Sequence, residues 1–330
     1  MAKFASSADV MKVVNTTPAV DHLELTTIDR DAGMKAARLL AKLTFELDGR
    51  SIARLAERDQ VPVLTEDVAT AWGTVPADTN SFEHDGVEVI VHGAAHAAEG
   101  RPVPQMLVSL TLGDAIHRAL VSGDRQWIGQ GEGAQPSAPV PFLRMPLTYE
   151  RAYGGSVDVW IDEESTAAVA HPGNPAGRGF DPAPAVAQLV ETLGMPDGYP
   201  LYDRSRWLPN VSDVGRPYCW AGRPVHVPGP AYDETGPREA TSAGWVETSM
   251  RVRCHPDLLL ATLPHGMPIV ARGMSPGGEL AFWLPVPRVV MDYEIDGRTG
   301  SRALRPRRLL LLTEERRFAL TYEDRVRFRA

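Results

Sequence analysis

The stretch LLAKLTFEL, Leu39 to Leu47, alternates between two kinds of position. Leu39, Ala41, Leu43, Phe45 and Leu47 share one face, and Lys42, Thr44 and Glu46 share the other. A period of two is the spacing of a strand, because successive side chains leave a sheet on opposite sides. The pattern predicts a half-buried strand, with Lys42, Thr44 and Glu46 towards water and DGR as its turn.

The same style recurs on both sides of the chain's midpoint. GVEVIVHG, QMLVSLTLGD and IHRALVSGD each read as a strand closed by a Gly or Gly-Asp breaker. Near the C-terminus, ELAFWLP, PRVVMDYEI, RRLLLLT and RFALTYEDRVRF are divided by Pro, by DGRTGS and by EERR. These predict an antiparallel meander with Asp296-Gly297 as a hairpin, since Gly accepts positive φ in a tight turn. One segment, AVAQLVETLG (Ala185 to Gly194), has helical spacing and a Gly stop. Residues 130–141, 171–184 and 207–241 read as irregular, and Pro is expected to keep the first of these from pairing.

The fold class that follows is mainly β: layered antiparallel sheets, sandwich-like, with long ordered loops and one or two short helices. Residues 1–10 form a polar lead-in to a single β-rich domain over 11–330. That domain is divisible into sub-units 11–150 and 245–330, joined by a loop-rich middle, 151–244.

Composition narrows the function classes. The chain has 330 residues, 43% hydrophobic, enough for one sizeable core or two smaller ones. Its 29 Gly and 28 Pro exceed an average share of roughly 12%, which points to many turns. A net charge of -8 argues against broad nucleic-acid binding. Locally the balance reverses: ten Arg against four acidic residues between Arg298 and Arg329. Only four of the 34 basic residues are Lys, a preference that coding bias in a G/C-rich genome explains, as does a basic face that docks an acidic partner. Cys219 and Cys254 stand far apart, which fits a reducing compartment better than a disulfide scaffold or zinc site. No apolar run suggests a signal peptide or membrane span, so the expected location is cytoplasmic.

Catalytic patterns fail on chemical grounds. GMSPG (Gly273 to Gly277) matches a nucleophile elbow in letters only. The oxyanion hole needs the N–H after Ser275, and Pro276 has none, so a hairpin turn is expected. His92 and His96 in HGAAHAAEG would share a face only on a helix, and Gly93 after VEVIV indicates a strand entering a turn. GQGEG (Gly129 to Gly133) lacks the strand–loop–helix setting of a phosphate loop. Asp158, Asp162, Glu163 and Glu164 read as a solvated acidic loop.

What remains distinctive is a set of ordered blocks. EVIVHGAAHAAEGRP, VSGDRQW, PFLRMPLTYERAYGG, NPAGRGF and LPN follow one another between residues 88 and 210. With MKVVNTTP and AKLTFEL before them and FWLPVPRV and RRLLLLTEERRFALTY after, the chain closely resembles the domain-of-unknown-function 2169 (DUF2169) family. The likeness runs from about Met11 to Arg329. It departs from the family between Pro217 and Leu260, where YCWAGRPVHVPGP stands near the place of a Gly-Phe-Gly-Pro block.

The resemblance implies an accessory role in bacterial type VI secretion. Such a protein is an adaptor or chaperone that binds a toxic effector and helps load it onto the PAAR-like/VgrG spike. It would be cytoplasmic, with no catalytic residue, cofactor or metal, no nucleic acid and no membrane insertion. The motif positions Arg125, Trp127, Glu150, Arg151, Gly154, Gly155, Asn174 and Asn210 are then expected to be structural. Glu150 and Arg151 would pin loops to the strand core, with Arg125 and Arg178 in the same network. Gly154-Gly155 would allow close backbone passage, and Asn174 and Asn210 would satisfy loop amides. Two other classes stay open: a hydrolase using the loop carboxylates with His171, and a structural subunit of the secretion apparatus.

Overall fold

The computed structural model describes residues 11–14, 20–29, 34–48, 52–79, 86–129, 134–171, 174–193, 201–202, 206–211, 220–221, 231–233, 236–238, 252–295 and 297–329. The lead-in 1–10 and most of the divergent segment 217–260 lie outside them.

Two sheets carry the fold. The larger has nine strands: β1 (Met11–Val14), β2 (Val20–Asp29), β3 (Met34–Leu47), β4 (Ala53–Leu55), β5 (Val87–His92), β8 (Leu259–Leu260), β11 (Val289–Ile295), β12 (Arg298–Leu312) and β13 (Arg317–Arg329). The smaller has four: β6 (Gln105–Leu112), β7 (Ala115–Ser122), β9 (Met267–Arg272) and β10 (Glu279–Leu284), in the order β7-β6-β9-β10. Both sheets mix strands from the two ends of the chain. At the centre of the larger one, β13 pairs along its length with β3, and β12 pairs with β13 on one side. On its other side β12 meets β11 with its first half and β5, in parallel, with its second. The mainly β, layered antiparallel architecture read from the sequence is the one found.

Apolar residues of the alternating strands fill the space between the sheets. Leu39, Ala41, Leu43 and Phe45 of β3 join Val108, Leu110, Ile269, Leu280 and Phe282 of the smaller sheet in one buried cluster. Phe318 stacks on Phe45 beside it and on Phe282 across the gap, with centroids 4.9 Å and 4.7 Å apart. Offset ring stacking adds about 1 kcal/mol per pair to the burial itself.

The other face of β3 is not in water. Lys42 and Thr44 are buried, against the half-exposed strand that alternation predicts; of the three polar positions only Glu46 is exposed. The reason lies across the sheet. Register places Lys42 opposite Thr321, Thr321 opposite Arg308, and Arg308 opposite Glu88, so one row crosses four strands. The segment 56–79 lies over that row and lowers Asp78 into it. Lys42 Nζ donates to Asp78 Oδ2 at 2.7 Å, and Thr321 Oγ1 to Asp78 Oδ1 at 2.8 Å. Arg308 binds Glu88 at 2.8 Å, approaches Asp78 at 3.4 Å and donates to the carbonyls of Pro76 and Ala77. Two cations therefore meet two anions, and remaining donors meet backbone oxygens, which is the condition for burying charge. Burial pulls Arg308 down, but Glu88 and Asp78 outweigh it and hold its pKa above the ordinary value. For Lys42 burial wins, and its pKa lies below the usual one despite Asp78.

Three further expectations are corrected by the chain path. ELAFWLP does not extend the C-terminal meander; as β10 it pairs with β9 in the smaller sheet, and Pro285 and Pro287 mark the crossing to β11. Residues 130–141 are not wholly unpaired, because Gln135–Pro136 forms a short ribbon with Trp127–Ile128. The helix, α1 (Ala183–Leu193), begins two residues earlier than predicted, with Ala183 N–H donating to Asp181 Oδ1 at 3.1 Å. GMSPG is the β9–β10 hairpin, with Gly273 at φ 71° and Ser275 fully buried.

Candidate functional site

The signature residues gather where the loop-rich middle meets the end of β7. Tyr149–Arg151 forms a single 3-10 turn, which sends Arg151 inward and leaves Glu150 exposed. Arg151 Nη1 donates to Asp124 Oδ1 and to Asn210 Oδ1, each at 3.2 Å. Asn210 Nδ2 returns to Asp124 Oδ1 at 3.0 Å and to the Ser122 carbonyl at 3.1 Å. Arg178 approaches the same carboxylate at 3.5 Å and donates through Nε to the Glu150 carbonyl at 3.0 Å. Arg125 reaches the Pro209 carbonyl at 3.3 Å. Four separate segments are thus tied at one carboxylate.

The expected Glu150–Arg151 pin is corrected in its acid. Asp124 accepts the guanidinium bonds, and Glu150 supplies a carbonyl while its side chain faces solvent. A 3-10 turn explains this, since adjacent residues on it point in different directions. Asp124 stands inside VSGDRQW, immediately before Arg125, so its place in that block was the available signal.

The remaining motif positions have separate tasks. Asn174 is fully buried and donates through Nδ2 to the Tyr149 and Tyr153 carbonyls, at 2.8 Å and 3.0 Å. Gly154 has φ 146°, and a Cβ there would sit 2.1 Å from the Asn174 carbonyl oxygen. Gly155 has φ 127°, so both residues of the step adopt a backbone that side chains disfavour. Trp127 stands apart from the carboxylate, half-exposed on its ribbon, with its N–H donating to the Arg206 carbonyl. Burial and then the neighbouring Arg151 charge lower the Arg178 pKa, while Asp124 and Glu150 oppose the shift.

A second knot ties the β12–β13 turn to the same stretch. Glu314 accepts from Arg144, from His96 Nε2 at 2.6 Å and from the Ala94 N–H at 3.1 Å. Arg144 lies 3.7 Å from the centre of the Trp72 ring, a cation–π contact. Neither partner is deducible from local spacing, because Glu314 lies on the far side of the chain from both.

The arrangement of possible reacting groups is informative. Thr70 Oγ1 lies 2.9 Å from the Gly73 carbonyl and 2.6 Å from His92 Nε2. The hydroxyl has one proton for these two neighbours, and the His92 tautomer sets which of them receives it. Burial lowers the His92 pKa to about 4, with Glu314 opposing the shift. His171 packs edge-on between Tyr153 and Phe180, at the base of the hairpin Ser156–Trp160 and Thr166–Ala170. Asp162 and Glu164 occupy the hairpin's tip, about 16 Å away at 3.3 Å per residue. The Glu164 N–H and the Ser165 side chain hold the exposed Asp162 carboxyl below its usual range. The hydrolase constellation is therefore not assembled. Among the described residues, no three His, Cys, Asp or Glu side chains converge as metal ligands would.

The fold and this geometry define a layered β-sheet protein with an apolar core, a buried charged row on one face of its larger sheet, and a separate knot of Arg, Asn and Asp side chains between its loops. Its residues 32–323 match the model of the family described as "Uncharacterized protein conserved in bacteria (DUF2169)". The chain belongs to that family. Comparison with curated proteins and with solved structures finds no match. No helix among the described residues is long and apolar enough to cross a membrane.

Proposed function

We propose that this chain is a cytoplasmic, non-catalytic adaptor or chaperone of bacterial type VI secretion. It holds a toxic effector and helps load it onto a PAAR-like/VgrG spike. The family membership brings the role into consideration, and one structural observation carries the reading further. The signature side chains Arg125, Arg151, Arg178, Asn174 and Asn210 spend their donors on Asp124 and on backbone carbonyls. Groups used in this way brace a surface and do not converge on a substrate atom. A braced surface binds at low entropic cost, because its loops are ordered before the partner arrives.

Co-expression with the effector encoded beside it, followed by size-exclusion chromatography with light scattering, tests the reading. The expected result is a stable heterocomplex. Separate elution of the two chains would contradict it, and self-assembly of this chain alone would favour a structural subunit.

A further inference from the structure

Lys42 and Asp78 differ from the other buried ionisable groups in what is aimed at the carboxylate. Both side chains are closed to solvent, at 1% and 0% exposure, and Nζ lies 2.7 Å from Oδ2. Oδ2 also accepts from the Leu64 N–H at 2.9 Å. The other oxygen, Oδ1, accepts from Thr321 Oγ1 at 2.8 Å and faces Arg308 Nη1 at 3.4 Å. An amine therefore stands against one oxygen, and a neutral and a cationic donor against the other.

An ordinary buried ion pair needs only mutual neutralisation. This one has the parts of an acyl transfer: a primary amine, a carboxyl carbon, and two donors on the oxygen that gains charge when the carbon is attacked. Burial lowers the Lys42 pKa, Asp78 opposes the shift, and the Arg308 charge adds to the lowering. Moving one proton from Nζ to Oδ2 along their hydrogen bond gives amine beside acid, and a buried site favours that neutral pair over separated charges. Standing contact also replaces a bimolecular encounter, and effective molarities of about 10⁵ M and above are typical of well-oriented groups.

We infer that Lys42 and Asp78 condense into an amide, an intramolecular isopeptide bond made by the folded chain itself. After the proton transfer, the Nζ lone pair attacks Cγ, and the Cγ–Oδ1 π pair moves onto Oδ1, where Thr321 and Arg308 hold it. The Cγ–Oδ2 bond then breaks as the carbonyl re-forms. Oδ2, already bearing one proton, takes a second from Nζ and leaves as water. One ammonium and one carboxylate become one amide and one water, with no oxidant, reductant or co-reactant. The product keeps Oδ1 between the same two donors, and Arg308 retains Glu88 at 2.8 Å as its counter-ion, so the row stays balanced with one buried ion pair fewer. The bond joins β3 to the segment 56–79 that covers it and fastens that cover covalently over the charged row.

The cross-link is independent of the adaptor role, and either can fail without the other. Trypsin digestion of the fully denatured chain, followed by mass spectrometry, tests it. The expected product is a branched peptide joining 39–50 to 59–118, uncut after Lys42 and lighter by one water than its two parts together. In Lys42→Arg, which keeps the cation without the amine, the parts should be recovered separately. In chain sampled at intervals after cell-free synthesis, Thr321→Val, which removes one donor to Oδ1, should close at least about tenfold more slowly than the parent. Recovery of both unlinked peptides from the purified parent, each at its full mass, overturns the inference. A water loss that persists in Lys42→Arg overturns it too, because the condensation would then lie at another pair.

Discussion

Lys42 and Asp78 form a fully buried ion pair, 2.7 Å between Nζ and Oδ2, on the face of β3 that alternation assigns to solvent. Asp78 belongs to the segment that covers this face, so the pair fastens a loop onto the sheet. Removing one partner leaves a buried charge without compensation, which typically costs 3–5 kcal/mol. Asp78→Asn is therefore expected to lower unfolding free energy by about 3 kcal/mol or more, read by urea titration. A loss below about 1 kcal/mol would show that water reaches the pair.

Gly154→Ala is expected to be among the most damaging single-methyl additions in the chain. The new Cβ meets the Asn174 carbonyl and the residue keeps a positive φ. A cost of about 3 kcal/mol is expected, visible as a lowered melting temperature. Gly278→Ala, with a positive φ but open space around its Cβ, serves as the control and should lose less.

Glu150→Gln and Arg151→Lys separate the two residues that sequence reasoning joined. Glu150 is exposed, so its amide variant should stay within about 0.5 kcal/mol of the parent. Arg151→Lys replaces the fixed Nη1 that donates to both Asp124 and Asn210 with a shorter, freely rotating ammonium group and should cost about 1–2 kcal/mol. Thermal denaturation of both variants side by side decides the assignment.

Stability should fall on mild acidification, in part through His92. Its folded pKa is lowered to about 4, while the unfolded side chain titrates near 6.5. Between those values the unfolded chain binds a proton that the folded one refuses, so stability is complete above 6.5 and drains away as pH falls towards 4. The whole shift is worth about 3 kcal/mol. His92→Gln should flatten the pH dependence of unfolding across this window, and an unchanged slope would assign the effect to other groups.

Much of the sandwich was legible because its strands carry their own periodicity. Leu39 to Leu47, Gln105 to Ser122 and the last three strands declare themselves by alternation and by Gly breakers. The burial of Lys42 was not legible, because alternation reports the residues of one strand and not what a distant loop places over them. Its partners Asp78 and Arg308 come from other parts of the chain, and only the register of four strands aligns them. The part of Asp124 was not legible for a similar reason: only the fold brings Arg151, Arg178 and Asn210 to its carboxylate, while a single 3-10 turn leaves Glu150 outward. The crossing of ELAFWLP to the other sheet was signalled by Pro285 and Pro287, whose meaning depends on where the chain goes next.

The proposed adaptor role is tested most directly by secretion in a bacterium that carries a type VI system. Deleting this chain is expected to abolish release of the effector encoded beside it, while the tube subunit and other effectors are still secreted. Continued release of that effector, or a halt in all secretion, would contradict the account.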